Sequence, residues 1–345
     1  MTTVRNIVLV LFATLVLLEL GLRLTGEFRT YPETIRDEYY TDYGQHINHA
    51  FFGWLWSRND SFMLHREEFV YAYKTNKWGR RARPISEVRS TTDRIAIVFG
   101  DSFTEGAGAS ADSTWVRSWE RSIHEVGMHC MAVNAGMSGS DPVLDGIAFE
   151  SRYRTLGPDL VIQVVNRTDY IDCVFRGGRE RLQADSTLRN RPAPWFHPFY
   201  RFSHVVRGVL QTTVGMDELL VPRSRRTDVL EESVPHLAHA IRRMDSICRA
   251  DGADFLVVHL SINDVIDRED PFPSLTRSLI DATPHLRHIT IETGAVRARA
   301  PADHPIAWPI DGHYNGRGYT LLGDVIFDEI MTQYPDVLDF NAVCK

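Results

Sequence analysis

The chain has 345 residues, of which 43% are hydrophobic and 24% are charged, and these proportions are ordinary for a globular protein. They exclude an intrinsically disordered or collagen-like chain, and no repeat of fixed period indicates a solenoid. The formal net charge is −7, which gives no electrostatic support for binding nucleic-acid phosphates. We therefore expect no nucleic-acid partner.

The amino-terminal segment, residues 1–26, predicts a membrane anchor. Residues 7–24 form an apolar run that is interrupted only by Glu19, Gly21 and Arg23. A helix of this length spans about 27 Å, which is enough to cross the hydrocarbon core of a bilayer. A cleavable signal peptide is the alternative, but no small-x-small site follows the run. The sequence therefore predicts an uncleaved, single-pass signal anchor, with the rest of the chain exported to the periplasm or the cell surface.

From residue 95 onward, short apolar runs alternate with amphipathic stretches. The predicted strands are residues 95–99, 131–134, 160–165, 255–260 and 288–292, and the predicted helices are residues 115–126, 142–153, 230–249 and 319–331. Continuous apolar strands joined by helices indicate a parallel sheet that is covered on both faces. The expected fold is thus α/β, a three-layer α/β/α sandwich with a five-stranded parallel sheet and its site at the carboxyl ends of the strands.

A serine follows the first of these strands. The strand runs directly into the sequence GDSFTEG at residues 100–106, in which Gly100 permits a tight exit and presents the Ser102 hydroxyl at the rim of the sheet. Alone, such a stretch also fits a helix cap or a phosphate-binding loop, although it lacks the lysine of a P-loop.

A histidine and a carboxylate stand together near the other end of the chain. In the sequence PIDGHYN at residues 309–315, Asp311 and His313 lie two positions apart, so on an extended loop they face the same side at about 6.6 Å. The carboxylate can fix the tautomer of the imidazole and leave its other nitrogen to accept a proton from a serine. A surface turn is the alternative for this segment alone, but its pairing with the serine segment in one α/β unit favours a hydrolytic site.

These segments resemble the SGNH, or GDSL, hydrolase superfamily. The resemblance covers about residues 70–335 and rests on GDSFTEG after the first strand, NAGMSG after the second and DGHYNGRGY before the last helix. Residues 73–80, with Asn76 and Gly79, and the amino-terminal span are also similar to the membrane-anchored bacterial members. The family fold, a flavodoxin-like three-layer sandwich, agrees with the one expected from the strand pattern.

The resemblance implies a role for each of the residues singled out above. Ser102 is then the nucleophile, His313 the general base and Asp311 the residue that orients it. The family's oxyanion hole combines the backbone N–H groups of Ser102 and Gly139 with a side-chain amide after the third strand. Neither the sequence nor the resemblance indicates a metal or a cofactor.

The chain departs from the family pattern in two places. Many members space the acid and the base as DxxH, whereas this chain has DxH. The family's Asn-Asp pair after the third strand aligns here with Thr168 and Asp169. Either Asn166 supplies the third oxyanion donor, or the hydroxyl of Thr168 donates instead.

We expect three regions in the chain: the anchor at 1–26, an extension at 27–90 that packs on the catalytic domain, and the hydrolase domain at 91–340. An insertion at 170–228 carries ten Arg, no Lys and six acidic residues, so its charge is +4. It is also rich in aromatic residues, among them Trp195, Phe196, Phe199, Tyr200 and Phe202. It is interpreted either as a helical cap on the sheet or as a lid or interfacial surface that meets an anionic glycan or lipid headgroups.

The expected function is that of a serine esterase that acts on an acylated small molecule or an acylated envelope glycan or lipid. An O-acyltransferase shares the first half-reaction, and it would need a membrane acyltransferase partner to bring the acyl donor across the membrane. The alternatives are a catalytically weak, membrane-tethered binding or assembly module and a phospholipase or lysophospholipase.

Overall fold

The computed structural model describes residues 2–25, 46–47, 55–56, 59–90, 94–175, 199, 202–214, 228, 230–261, 271–301 and 303–338. The chain divides into two compact units. The first comprises Met1–Asp42 and Arg191–Val229, and the second comprises Tyr43–Asn190 and Leu230–Lys345.

The described helices are α1 (Thr2–Thr25), α2 (Ile85–Ser90), α3 (Ser102–Glu105), α4 (Trp115–Glu125), α5 (Pro142–Ser151), α6 (Arg167–Phe175), α7 (His204–Thr213), α8 (Ser233–Asp251), α9 (Phe272–Ala282), α10 (Thr293–Arg297) and α11 (Gly316–Gln333). The described strands are β1 (His46–Ile47), β2 (Leu55–Trp56), β3 (Ser61–His65), β4 (Val70–Lys74), β5 (Arg94–Phe99), β6 (Cys130–Asn134), β7 (Leu160–Asn166), β8 (Asp254–Ser261) and β9 (Arg287–Glu292).

Five strands form a parallel sheet in the order β6-β5-β7-β8-β9. Alternate strand residues enter two separate cores because successive side chains point to opposite faces. Ile97 and Phe99 pack with α5, α8 and α9, whereas Ala96 and Val98 pack with α4 and α11. The predicted three-layer α/β/α sandwich is confirmed. The chain leaves β5 toward β6 on one side and returns to β7 on the other, and ligands in such sheets bind where the strand order reverses in this way.

The predicted strands agree with the observed ones to within one residue at each end, and the predicted helices to within three. Helix α9 and the antiparallel hairpin of β3 and β4 were not predicted. The hairpin buries Leu64, Tyr71 and Tyr73 on one face, and Phe69 at its turn packs against Trp308 with the ring centroids 5.3 Å apart. This contact joins the extension to the loop that precedes α11.

In the first unit, α1 is long and apolar enough to cross a membrane by length and composition. Glu19 and Arg23 form an ion pair at 2.7 Å on this helix, as their spacing indicates. Most of the insertion, including Trp195, Phe196 and Tyr200, lies outside the described residues.

A pair of histidines in the second unit, of which His259 is buried and His288 half-buried, predicts a loss of stability in acid. His259 on β8 lies 3.0 Å from His288 on β9, between Nε2 and Nδ1, and the rings stack at 5.2 Å. Burial, aided by His288, lowers the pKa of His259 to about 3, and burial also lowers the pKa of His288. The folded state therefore favours neutral rings, so their stabilisation is present above the unfolded pKa of about 6.5 and is lost as the pH falls below it.

We expect the free energy of unfolding to fall by about 2 kcal/mol between pH 7 and pH 5 through His259 alone. Urea titrations at the two pH values check this. The variant His259→Gln keeps a hydrogen-bonding side chain but does not titrate, so it should lose less stability over the same interval. An equal loss in both proteins would contradict the expectation.

Candidate active site

Ser102 is the first residue of α3, directly after the carboxyl end of β5. Gly100 makes this exit with φ 150°, and a Cβ there would lie 2.4 Å from Thr104 Oγ1 and 3.0 Å from Val164 Cβ. Asp101 caps the helix by accepting a hydrogen bond from the Phe103 N–H at 3.0 Å. The strand, the glycine and the cap together place a half-buried serine at the rim of the sheet.

A chain of hydrogen bonds joins Ser102 to the loop before α11. The Oγ atom of Ser102 lies 2.8 Å from Nε2 of His313, and Nδ1 of the same ring lies 2.5 Å from Oδ1 of Asp311. The Phe103 ring packs on the imidazole with a centroid distance of 4.8 Å and restrains its rotation. The imidazole is therefore held between a hydroxyl and a carboxylate, the arrangement that lets it accept the hydroxyl proton.

The carboxylate of Asp311 is stabilised in its charged form. Partial burial alone would raise the pKa of Asp311, but the hydrogen bonds and the charge of His313 outweigh burial and lower it below the usual value. Gly312 separates the two residues with φ 83°, a conformation that other residues rarely adopt, and its turn lets both side chains point to the same side. The DxH spacing is thus compatible with the direct contact.

Asp101 organises the side chains that follow β7. Its Oδ2 atom accepts hydrogen bonds from Nδ2 of Asn166 at 2.6 Å and from Oγ1 of Thr168 at 2.7 Å. The Oδ1 atom of Asn166 in turn accepts a hydrogen bond from the Thr168 N–H at 2.6 Å. Both candidates for the third oxyanion donor therefore lie beside the nucleophile helix, held by the residue that caps it.

These bonds leave the two candidates with unequal donor capacity. Thr168 has one hydroxyl proton, and its two partners within hydrogen-bond distance, Asp101 Oδ2 and Asn166 Oδ1, are both acceptors inside the protein. The amide of Asn166 has two N–H bonds, of which one donates to Asp101. Asn166 is the candidate with a second N–H for a substrate oxygen.

Two buried carboxylic acids, Asp101 and Asp169, lie beside Asn166 and Thr168 at the end of β7. Burial raises the pKa of Asp101 despite its hydrogen bonds from Thr168, Phe103 and Asn166. Burial and the neighbouring charge of Asp101 raise the pKa of Asp169 well above its usual value, although its Oδ2 accepts the Asn166 N–H at 2.6 Å. Neither acid was predicted to have a role. Both act here as hydrogen-bond acceptors for Asn166 at the end of β7, and Asp101 also accepts from Thr168.

The loop after β6 packs against the nucleophile helix and carries Gly139. A Cβ at Gly136 would lie 2.4 Å from the backbone N of Glu105, so only glycine allows this close approach. The buried carboxylate of Glu105 accepts a hydrogen bond from the Ser138 N–H at 2.5 Å, next to Gly139, which has φ 69°. Glu105 therefore ties α3 to the loop that holds the predicted oxyanion residue.

The extension completes the support of the site. The Tyr73 hydroxyl donates to the other oxygen of Glu105 at 2.6 Å. Arg81 donates to the backbone oxygens of Gly106 at 2.7 Å and Ala109 at 2.5 Å, just beyond the end of α3. These contacts are too distant in sequence to be predicted from any local pattern, although the buried acid at position 105 lies within the GDSFTEG motif.

Glu68, in the turn of the hairpin, binds the loop that carries Asp311. Its Oε2 atom accepts hydrogen bonds from the backbone N–H groups of Ile310 at 2.9 Å and Asp311 at 2.6 Å. We expect Glu68→Ala to lower kcat for an activated ester by about tenfold, which corresponds to about 1.4 kcal/mol of lost positioning, with little change in KM.

The matched control for this prediction is Glu67→Ala, because Glu67 is exposed and adjacent in the chain. Glu68→Gln keeps an acceptor oxygen and should restore most of the rate. A loss of equal size in the Glu67 and Glu68 alanine variants would show that the hairpin acts on overall stability and does not position Asp311.

Among the described residues, no group of three or more His, Cys, Asp or Glu side chains could hold a metal ion. The residues that the motifs singled out lie at the carboxyl edge of the sheet or on the loop before α11: Asn166 ends β7, Ser102 and Thr168 lie in the first turns of helices, and Gly139, Asp311 and His313 lie on loops. The reactive groups at this edge are a hydroxyl, an imidazole and a carboxylate that are connected by hydrogen bonds.

No family model matches this sequence, and no curated protein sequence matches it. Several solved structures are similar to the chain. One is a putative lipolytic protein of the G-D-S-L family from Desulfitobacterium hafniense, with 13% identity and a TM-score of 0.40 over 68% of this chain and 99% of that one. A psychrotrophic esterase from Pseudoalteromonas has 12% identity and a TM-score of 0.41 over 70% and 98%. A GDSL-like lipase from Bacteroides thetaiotaomicron has 14% identity and a TM-score of 0.37 over 72% and 95%. Identity and TM-score are low in each case, so the function of this chain has to be argued from its own residues.

Proposed function

We propose that this protein is a serine ester hydrolase that works through a covalent acyl-Ser102 intermediate. The observation that carries the proposal is the unbroken hydrogen-bond chain from Asp311 through His313 to Ser102. Each member has the chemistry its position requires: an acceptor for the imidazole N–H, an imidazole that can accept a proton, and a hydroxyl at the tip of a strand. The resemblance to SGNH hydrolases, which rests on the motifs at these same residues, is in agreement.

In the first half-reaction, Nε2 of His313 accepts the hydroxyl proton as Ser102 Oγ attacks the ester carbonyl carbon. The carbonyl oxygen becomes an oxyanion, and the proposed donors to it are the backbone N–H groups of Ser102 and Gly139 and the second amide N–H of Asn166. His313 then donates its proton to the departing alkoxide, and the C–O bond of the ester breaks. Asp311 stabilises the imidazolium that exists between these two proton transfers.

In the second half-reaction, an acyl acceptor attacks the acyl-serine while His313 accepts its proton. The bond between the acyl carbon and Ser102 Oγ then breaks, and His313 returns the proton to the serine. Water gives hydrolysis, and a sugar hydroxyl gives O-acyl transfer by otherwise identical steps. The proposed substrates are acylated small molecules or acylated glycans and lipids of the cell envelope. In the transferase version, a membrane acyltransferase partner supplies the acyl group from the other side of the membrane.

The proposed location follows from helix α1, which is long and apolar enough to span a bilayer. As a single-pass anchor, α1 would hold the catalytic unit at the outer face of the bilayer that it spans. The catalytic unit would then lie in the periplasm or at the cell surface, with access to envelope substrates. A cleaved signal peptide remains distinguishable, because the mature protein would then lack residues 1–26 in an intact-mass measurement.

The purified full-length protein is expected to release p-nitrophenol from p-nitrophenyl acetate, and the Ser102→Ala variant is not. Retained activity in the variant would show that another residue is the nucleophile. No turnover of acetyl, butyryl or longer acyl esters by the wild type would favour a membrane-tethered binding module instead.

A further inference from the structure

Helix α7, in the insertion, is joined to the anchor helix within the first unit. The carboxylate of Glu19 accepts hydrogen bonds from the Ser203 hydroxyl and from the backbone N–H groups of His204 and Val205, each at 2.9 Å. Arg23 donates to the backbone oxygen of Phe202. One carboxylate of α1 thus satisfies the first turn of α7, where backbone N–H groups otherwise lack partners.

The position of Glu19 along α1 indicates how deep in the membrane its contact with α7 would lie. Glu19 lies five residues before Leu24, the end of the apolar run, which is about 7.5 Å along a helix. The start of α7 is therefore fixed below the end of the apolar segment rather than beyond it. A carboxylate at this depth needs partners, and α7 supplies them.

The distribution of charged and apolar side chains on α7 is the reverse of that expected for a helix in water. Its one charged residue, Arg207, is buried at 4% exposure, whereas Val209 on α7 and Val214 just after it are exposed. Phe202, two residues before the helix, is also exposed. A helix that borders water normally exposes its charges and buries its apolar residues, while membrane proteins turn charges inward.

The hydroxyl groups on the exposed side are also satisfied internally. Thr212 Oγ1 donates to the Gly208 backbone oxygen at 2.6 Å, and Thr213 Oγ1 donates to the Val209 backbone oxygen at 2.5 Å. Thr14 on the anchor makes the same type of bond to Val10 at 2.9 Å. Hydroxyls bonded back to their own helix need no water, so these threonines are compatible with a lipid environment.

We propose that α7 is a second membrane-embedded element, docked on the outer end of α1 through Glu19, whose exposed face contacts lipid acyl chains. The partner of this surface is the bilayer, because α7 packs on α1, most of whose side chains are apolar and exposed, and the described exposed side chains of α7 carry no charge. The inference rests on the proposed anchoring of α1. It gives the insertion the interfacial role and adds a second membrane-embedded helix to the first unit.

The test is the depth of nitroxide probes in full-length protein, reconstituted in vesicles of phosphatidylethanolamine and phosphatidylglycerol. Single cysteines replace Val209 and two controls in a Cys344→Ser background, since the other three cysteines are buried. Val126→Cys is the matched control, because Val126 lies in the second unit and is 53% exposed against 55% for Val209. Val10→Cys reports the anchor itself.

We expect the ratio of oxygen to nickel-chelate collisions at position 209 to approach that at position 10 and to exceed that at position 126 several-fold. If position 209 behaves like position 126 while position 10 stays shielded, α7 is in water and the inference is wrong, although the anchor stands. If position 10 is also accessible to the nickel chelate, the proposed anchoring itself fails.

A second arm tests the role of Glu19. Glu19→Leu makes α1 more apolar, so insertion of the anchor is favoured while the partner of α7 is lost. The probe at position 209 should then become accessible to the nickel chelate and the probe at position 10 should not. Thr14→Leu adds a leucine to the same helix without touching Ser203 and should change neither. A shielded position 209 in the Glu19→Leu variant would overturn the docking.

Discussion

Alanine in place of either Ser102 or His313 is expected to lower kcat for p-nitrophenyl acetate by about four orders of magnitude or more, because each removes a member of a unit that acts together. The structure places the two reacting atoms, Oγ and Nε2, 2.8 Å apart. Asp311→Asn should lower kcat by a smaller factor. The loop is half-exposed, so water can replace part of the interaction between the Asp311 carboxylate and the His313 imidazole. Stopped assays with saturating ester and a thermal melt for each variant give the measurement.

The chain offers a matched control for this result. Asp303 and His304 form a second carboxylate–imidazole contact, at 2.9 Å, on an exposed surface. His304→Ala removes the same chemistry from the protein and should leave kcat unchanged. A comparable loss in the His304 and His313 variants, or a larger loss in Asp303→Ala than in Asp311→Ala, would show that the wrong carboxylate and base have been paired.

Removal of the amide of Asn166 is expected to lower kcat about a hundredfold with little change in KM, which is the signature of an interaction made mainly in the transition state. The physical reason is that the Asn166 amide has two N–H donors. One N–H of the amide is used by Asp101 Oδ2 at 2.6 Å, and the other is proposed to stabilise the oxyanion. Steady-state kinetics of Asn166→Ala with two esters of different leaving groups measure the effect.

Thr168→Val is the control, because it also removes one hydrogen bond to Asp101 Oδ2 but takes away no spare donor. It should cost about tenfold or less, in line with lost positioning alone. If Thr168→Val costs as much as Asn166→Ala, the effect comes through Asp101 and the amide is not an oxyanion donor. If Thr168→Val costs more, the threonine hydroxyl is the donor.

Local sequence patterns were sufficient for the central sheet. Strands β5 to β8 are largely runs of apolar residues buried on both faces, a pattern that is visible in the sequence itself, whereas β9, at the edge of the sheet, buries alternate residues. The hairpin of β3 and β4 was not predicted, because apolar residues such as Met63 and Val70 also occupy its exposed face, so the alternate burial is not visible in the sequence. Its apolar face is completed by Trp308, far along the chain. Helix α9 was also not predicted, because Pro271 and Pro273 at its start are typical of a turn, and it buries only Phe272, Leu275 and Leu279.

For the site, the motifs identified the groups that could react but not the groups that position them. Ser102 and His313 carry unusual local sequences because the backbone around them is constrained. Glu68 has no such signature, since it contributes one carboxylate to a loop more than two hundred positions away. The sequence alone does not distinguish Asn166 from Thr168 as the third donor, because their capacity to donate depends on the hydrogen bonds that each makes with Asp101, which is distant in sequence.

The central claim is that Ser102 forms a covalent bond to the acyl group, and trapping that bond tests it most directly. Full-length protein is treated with a fluorophosphonate, digested, and analysed by mass spectrometry for the modified peptide. The account predicts a single phosphonyl adduct on Ser102, formed in the wild type and absent from a folded Ser102→Ala variant. An adduct on a different residue, or no adduct in a preparation that hydrolyses esters, would contradict it.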